Sequence, residues 1–351
     1  MPASWKYFAL RTFNMLLVLV IVVFILSASF STMAEQELET AVRQQVQGEM
    51  EGGQFDNPDQ YREERTRELR ERYNLHLPRW QRVFFSARNV LTLDLGDAQS
   101  RMTAGDGTSD VTSIIMDYLP RTILLFTTAA FIYTGLGIAV GLKAAQRAGS
   151  KLDKFLSLFG MTASSLPMWW VGMLVILIFV YSLGWFPRPS PRFPRIEVLG
   201  LWGYLREILI KMALPLATIV FVLFGGRAWV TRNIVTGVLQ DDYIMAARAK
   251  GVPERKVIYG HTLKTAAPPV VTSAIMSLLM SVGGAMISEI VFAWPGMGYL
   301  LRLAIFTYSD VPVILGISFI TAFLYIFGYY LADLIYGFLD PRVEVGAGDR
   351  M

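Results

Sequence analysis

The sequence predicts an all-α membrane protein with six transmembrane helices, and three observations carry that expectation. The chain of 351 residues is 54% hydrophobic and only 17% charged, a balance that multispanning membrane proteins show and soluble domains seldom do. Its apolar residues gather in runs of hydrocarbon length. Between two of those runs stands a polar, basic interruption over residues 241–269 that reads as two short helices joined at a glycine.

Composition also removes several functions. With no cysteine, disulfides, zinc thiolate sites and thiol nucleophiles are excluded. The two histidines, His76 and His261, leave too few imidazoles for a histidine-built metal site. The net charge of +4 belongs to membrane-flanking loops rather than to a nucleic-acid surface, because no basic stripe interleaves with aromatics. No Gly-x-x-x-x-Gly-Lys-Ser/Thr phosphate cradle occurs, so ATP hydrolysis by this chain is not expected. No Ser/His/Asp set or carboxylate pair suggests catalysis, and no catalytic residue is assigned.

Taken in order, Lys6 and Arg11 precede an apolar run over 13–30. It is long enough for a spanning helix rather than a signal-peptide core, and it is expected to be the first span, starting in the cytoplasm. Residues 31–117 change character and are expected to form an extracytoplasmic helical insertion. Within it, 33–54 is rich in Glu and Gln and reads as a polar helix. The run YREERTRELRERY over 61–73 alternates charge, with Glu63 and Arg67 favourably spaced and Glu64 and Glu68 not.

The second span, 118–142, carries Gly137 and Gly141 at a spacing that lets another helix come close. Lys143, Arg147, Lys151 and Lys154 then oppose only Asp153, as in a cytoplasmic loop. The third span, 155–183, holds Ser164-Ser165-Leu166-Pro167 near its middle. The proline frees a carbonyl that the hydroxyls can satisfy, giving either a static kink or a hinge on a transport path. The loop over 188–211 is as basic as the inner loops although span counting places it outside. Residues 201–212 read as an interfacial helix. In the fourth span, 212–235, Arg227 and Arg232 are expected at the cytoplasmic end, with Arg227 snorkelling to the surface.

In the polar interruption, 242–250 reads as a helix ended by Gly251 in the left-handed conformation. Pro253 and Glu254 suit the start of the next helix. The fifth span, 268–292, holds small and weakly polar residues including Ser281 and Gly284, suited to tight packing or a wetted path. Glu289 near its end is read as a hydrogen-bonding partner of the following turn or as a substrate contact. The last span covers 311–334.

Tyr243-Ile244, the Ala246–Gly251 stretch and His261-x-Leu263-Lys264 resemble the cytoplasmic coupling loop of peptide-class ABC importer permeases. The general signature's Glu and Ile are replaced here by Met245 and His261, and its proline is missing. The likeness continues through Leu183-Gly184-Trp185-Phe186-Pro187, Trp294-Pro295-Gly296-Met297-Gly298, Asp310-x-Pro312-Val313 and a closing Tyr336…Asp340-Pro341-Arg342-Val343. On these stretches the chain resembles the B-type permease subunit of dipeptide, oligopeptide and nickel importers.

The resemblance implies the type I ABC importer permease fold, with a tail and first helix over 1–30 and a permease domain over 118–343. It also implies a coupling loop over 237–267 and a cytoplasmic tail over 344–351. It places the chain in a prokaryotic inner membrane with both termini cytoplasmic. The implied partners are a homologous second permease subunit, two ATPase subunits that bind ATP and magnesium, an extracytoplasmic substrate-binding protein and the bilayer. No cofactor is expected in this chain. The residues implied to meet the ATPase are Asp242, Tyr243, Ala246, Ala247, Arg248, Lys250, Gly251, Arg255 and His261. Ser164, Ser165, Pro167, Ser281, Gly284 and Glu289 are candidates for a hinge or pathway. Oligopeptides or dipeptides are the expected cargo, with oligosaccharides or a nickel chelate as alternatives. An ion-coupled secondary transporter is the competing class, disfavoured by the few ionisable residues in the spans and the lack of an evident internal repeat.

Overall fold

In hydrocarbon the backbone must satisfy its own amides and carbonyls, so helices are expected wherever the apolar runs fall. The computed structural model describes residues 5–52, 57–100, 102–281 and 286–339. Among these the regular structure is helical, with one isolated bridge between Asp97 and Asp110. The helices are α1 (Trp5–Gly52), α2 (Pro58–Arg72), α3 (Arg79–Leu91), α4 (Val111–Ala145), α5 (Lys151–Ser165), α6 (Met168–Ile176) and α7 (Ile196–Leu239). They continue with α8 (Asp242–Ala249), α9 (Glu254–Lys256), α10 (Leu263–Ser281), α11 (Met286–Val291), α12 (Met297–Phe306) and α13 (Val311–Leu339).

Among the described residues, α1, α4, α7 and α13 are each long and apolar enough to cross a membrane. The pair α5 and α6, bent by 95°, adds a fifth if it is one broken span. The expected fifth span over 268–292 includes Gly284, which lies outside the described residues. Large apolar side chains stay exposed along these helices, for example Phe13, Phe131, Phe155 and Leu209. Such continuous apolar exposure fits a lipid surround rather than water.

The chain divides into two units. One is built on Phe13–Asp117 and Leu300–Ile326. Here the first apolar run and the polar stretch after it, read separately in the sequence, are one unbroken helix, α1. Residues 31–47 contain no Pro or Gly, so the change of composition alters what surrounds the helix without ending it. Asn57 caps α2, and Pro58 sits at its first position. α2 runs back along α1, burying Leu69 and Leu75 with Val42 and Val46. Its charges tie the two helices together: Arg65 Nε reaches Glu49 at 2.9 Å and Arg70 reaches Glu39 at 2.8 Å. The charged run pairs along its own helix, Arg65 with Glu68 at 2.7 Å, and also across to α1, because one face of α2 is packed there. Asp310, buried, accepts from the Val313 amide at 3.2 Å as the N-cap of α13 and from the Ser100 amide at 2.8 Å.

The second unit is built on Tyr118–Tyr299 with residues up to Thr12 and from Phe327 onward. Its core includes Leu125, Phe126, Ala129, Met212, Ile219 and Trp294. Gly137 and Gly141 of α4 meet α7: a Cβ at Gly141 would collide with the Ala228 carbonyl oxygen, and one at Gly137 with the Arg227 side chain. Gly160 of α5 lies equally close to the Gly225 carbonyl, so two helices press on the α7 backbone through glycine. Ser150 caps α5, and Asp153 in its first turn forms a two-pronged ion pair with Arg232 of α7 at 2.7 and 2.9 Å.

α5 ends at Ser165, Leu166 turns to an extended conformation, and Pro167 stands at the N-cap of α6. The bend is far sharper than a proline kink inside a continuous helix, because Leu166 leaves the helical region altogether. The expected interfacial helix and fourth span are joined in α7, which is interrupted only by Gly200 at φ 65°.

Candidate functional site

The polar interruption folds into an exposed elbow. Asp242 starts α8, Lys250 closes it, and Gly251 follows with φ +77°. A side chain at Gly251 would meet no neighbour within 4 Å, so the glycine is required by the backbone conformation and not by crowding. Pro253 then stands before α9, and a π-helical turn, Val257–Thr262, leads into α10. One side chain of α8, Ile244, is fully buried, as is Val257 of the π-helical turn on which α8 packs, and Ile258 beside it is nearly so.

The other residues expected to meet an ATPase stay at the surface. Asp242, Tyr243, Ala246, Arg248, Lys250, Gly251, Arg255 and His261 are exposed and Ala247 is half-buried. Two contacts stiffen the elbow. Tyr243 Oη is 2.8 Å from Thr265 Oγ1. Arg248 grips Glu254 across the glycine at 2.7 and 3.1 Å, and its guanidinium holds the Glu254 carboxyl below the usual carboxylate range. Arg248, expected to seek a partner's acidic group, is therefore already paired within the elbow. Lys250 and Arg255 remain as exposed cations. Beyond the elbow, Pro268 and Pro269 lie inside α10. The carbonyls they leave without an amide, those of Lys264 and Thr265, belong to exposed residues.

Glu289 lies elsewhere in this unit and is fully buried. It accepts from Thr122 Oγ1 and from the Gly298 amide, each at 2.6 Å, while the Met297 amide donates to Thr122 at 2.7 Å. The turn between α11 and α12 is thereby fastened to α4. Trp294 adds an indole N–H to the Arg121 carbonyl at 3.1 Å.

A cavity of about 680 Å³ opens among α4, α5, α7 and α10, walled by Phe126, Ile219, Leu223 and Met276, with Tyr133, Ser164, Arg227 and Ser273 as its polar members. Of the candidates for a hinge or pathway, Ser164 reaches it, its hydroxyl donating to the Gly160 carbonyl at 2.7 Å. Ser165 is exposed, with its hydroxyl on the Met161 carbonyl. Pro167 marks the bend. Gly284 and the side chain of Ser281 lie outside the described residues. Arg227 does not snorkel: it is 5% exposed and bonded to α10. It lies twelve residues before the end of α7, about 18 Å along the helix at 1.5 Å per residue. Among the described residues no group of His, Asp or Glu is placed to hold a metal ion.

Helices of membrane-spanning length with apolar surfaces, a partly polar cavity among them and an exposed basic elbow fit a polytopic membrane protein. Residues 137–345 match the family described as binding-protein-dependent transport system inner membrane component, and the chain belongs to it. It is 31% identical over 274 residues to the oligopeptide transport system permease protein AppB of Bacillus subtilis, covering 78% of this chain and 83% of that one. It is 30% identical over 295 residues to the dipeptide transport system permease protein DppB of Alkalihalophilus pseudofirmus, covering 79% and 85%. A solved structure of the MetNI methionine ABC transporter aligns with a TM-score of 0.46 at 19% identity, over 64% of this chain and 97% of that chain.

Proposed function

We propose that this permease subunit carries oligopeptides or dipeptides inward across a prokaryotic inner membrane, with both termini cytoplasmic. It lines half of a path completed by a second, homologous permease. An external binding protein delivers the solute, and two ATPase subunits, which bind ATP and magnesium, drive the cycle. The elbow around Gly251 seats in a groove of one ATPase, with Ala246 and Ala247 against its surface and Lys250 and Arg255 facing its acidic groups. The peptide substrate is supported by the named relatives, both peptide permeases.

The observation that carries the coupling reading is the elbow itself. It is anchored through Ile244, stapled by Arg248 and Glu254, and otherwise turned outward. A stiff lever passes on displacement where a loose loop would absorb it. ATP shifts the permease only by binding its two states unequally, so that difference must cross this contact.

Gly251→Glu tests it in the assembled complex. The variant strains the left-handed residue by about 1–2 kcal/mol and sets a negative charge beside Lys250. Membrane insertion is expected to persist while substrate-stimulated ATP hydrolysis disappears. Stimulation equal to wild type would count against this reading.

A further inference from the structure

The buried carboxylates among the described residues are all committed: Asp153 to Arg232, Glu289 to Thr122 and Gly298, Asp310 to Ser100 and Val313. Arg227 is the contrasting case. It is buried, it lines the 680 Å³ cavity, and it enters none of the ion pairs found among the described residues. Its Nη1 donates to Ser273 Oγ at 2.8 Å and its Nη2 to the Val270 carbonyl at 2.7 Å, while Nε has no acceptor. Neutral acceptors leave the charge uncompensated, and a buried cation is costly until an anion joins it. Ionisable side chains buried within apolar spans mark solute paths.

We propose that Arg227 is an anion-recognition residue within the cavity and that it takes the free carboxylate of a peptide in transit; this rests on the peptide reading above. A guanidinium presents a planar fork that matches a carboxylate, and the cavity volume lies within the range of small-molecule sites. Apolar walls at Phe126, Ile219 and Met276 receive side chains without selecting among them. Ser273 and the Val270 carbonyl hold Nη1 and Nη2 in place, which lets the solute leave without the guanidinium collapsing into the cavity. A path must hold its cargo well enough to admit it and loosely enough to let it go.

The test uses the assembled importer in nanodiscs, with N-acetyl-trialanine and its C-terminal amide as probes and no binding protein present. Wild type is expected to bind the acid about tenfold or more tightly than the amide. Arg227→Met is expected to abolish that preference and Arg227→Lys to keep part of it. A merely structural link between α7 and α10 would weaken both probes alike. Equal binding by wild type, or an undiminished preference in Arg227→Met, overturns the proposal. If Arg227→Met fails to assemble, Ser273→Ala, which removes one guanidinium acceptor, must change the acid-to-amide ratio, and an unchanged ratio overturns it. Loss of the preference when phosphatidylglycerol is added to phosphatidylcholine discs would assign Arg227 to a lipid phosphate, which also overturns it. Uptake of trialanine into proteoliposomes with the binding protein is scored separately. Acid preference without uptake sinks peptide import and keeps the anion site, whereas uptake without acid preference does the reverse.

Discussion

Asp153 and Glu289 are both buried acids, yet their surroundings use them differently. Asp153 pairs with a guanidinium, whereas Glu289 is bound by a hydroxyl and a backbone amide. Asp153→Ala would leave Arg232, largely covered, without its counter-charge. A destabilisation on the order of 3 kcal/mol is expected, read as a lower thermal midpoint of the purified importer. Arg232→Lys should fall between the two, since an ammonium cannot make the two-pronged contact. The distant partner of each could not be read from sequence, although Glu289 was read as bonding to the turn after it and does accept the Gly298 amide. Asp153 appeared as one acid in a basic loop, and its partner lies 79 positions away. Thr122, the partner of Glu289, is 167 positions away and belongs to an ordinary apolar span. Arg227 was visible as an ionisable residue in an apolar run. Its burial was not, because that depends on α10, whose Val270 and Ser273 lie more than forty positions away.

Short-range chemistry was the most legible part of the elements. Gly251, Pro253 and Glu254 marked the elbow because each answers a local backbone need. Pro167 marked the bend for the same reason, although its angle depends on what α5 and α6 pack against. The Gly137 and Gly141 pair announced a close helix contact without naming the partner, which is α7. Gly141→Val would push against the Ala228 carbonyl, a backbone atom that cannot rotate aside. A cost of about 1–3 kcal/mol is expected, seen as a lower thermal midpoint and less assembled complex after detergent extraction. The same substitution at Gly135, which has open space around it, should be far milder. Composition marked where the character of α1 changes, near residue 31, but not that the helix runs on without a break, which its residue propensities allow.

For the molecule as a whole, the chain lacks cysteine, so single cysteines report topology on a silent background. Lys250→Cys should react with a membrane-impermeant maleimide only from the cytoplasmic side, and Thr66→Cys, in α2, only from the outside. Labelling of both from one side would reject the proposed orientation, which the basic 188–211 loop left undecided. Membership of the family was legible from motifs spread along the chain, whereas the cavity required the packing of distant helices. One tie bears on how the protein is made. Glu37 accepts the amide of Val311 at 3.1 Å, and the Ser100 amide donates to Asp310. The segment over 31–117 therefore lacks two of its fastenings until residue 311 has been made. A chain truncated before residue 310 is expected to leave Glu37 and the Ser100 amide without these partners, read as faster protease cleavage within 31–117 than in the full chain.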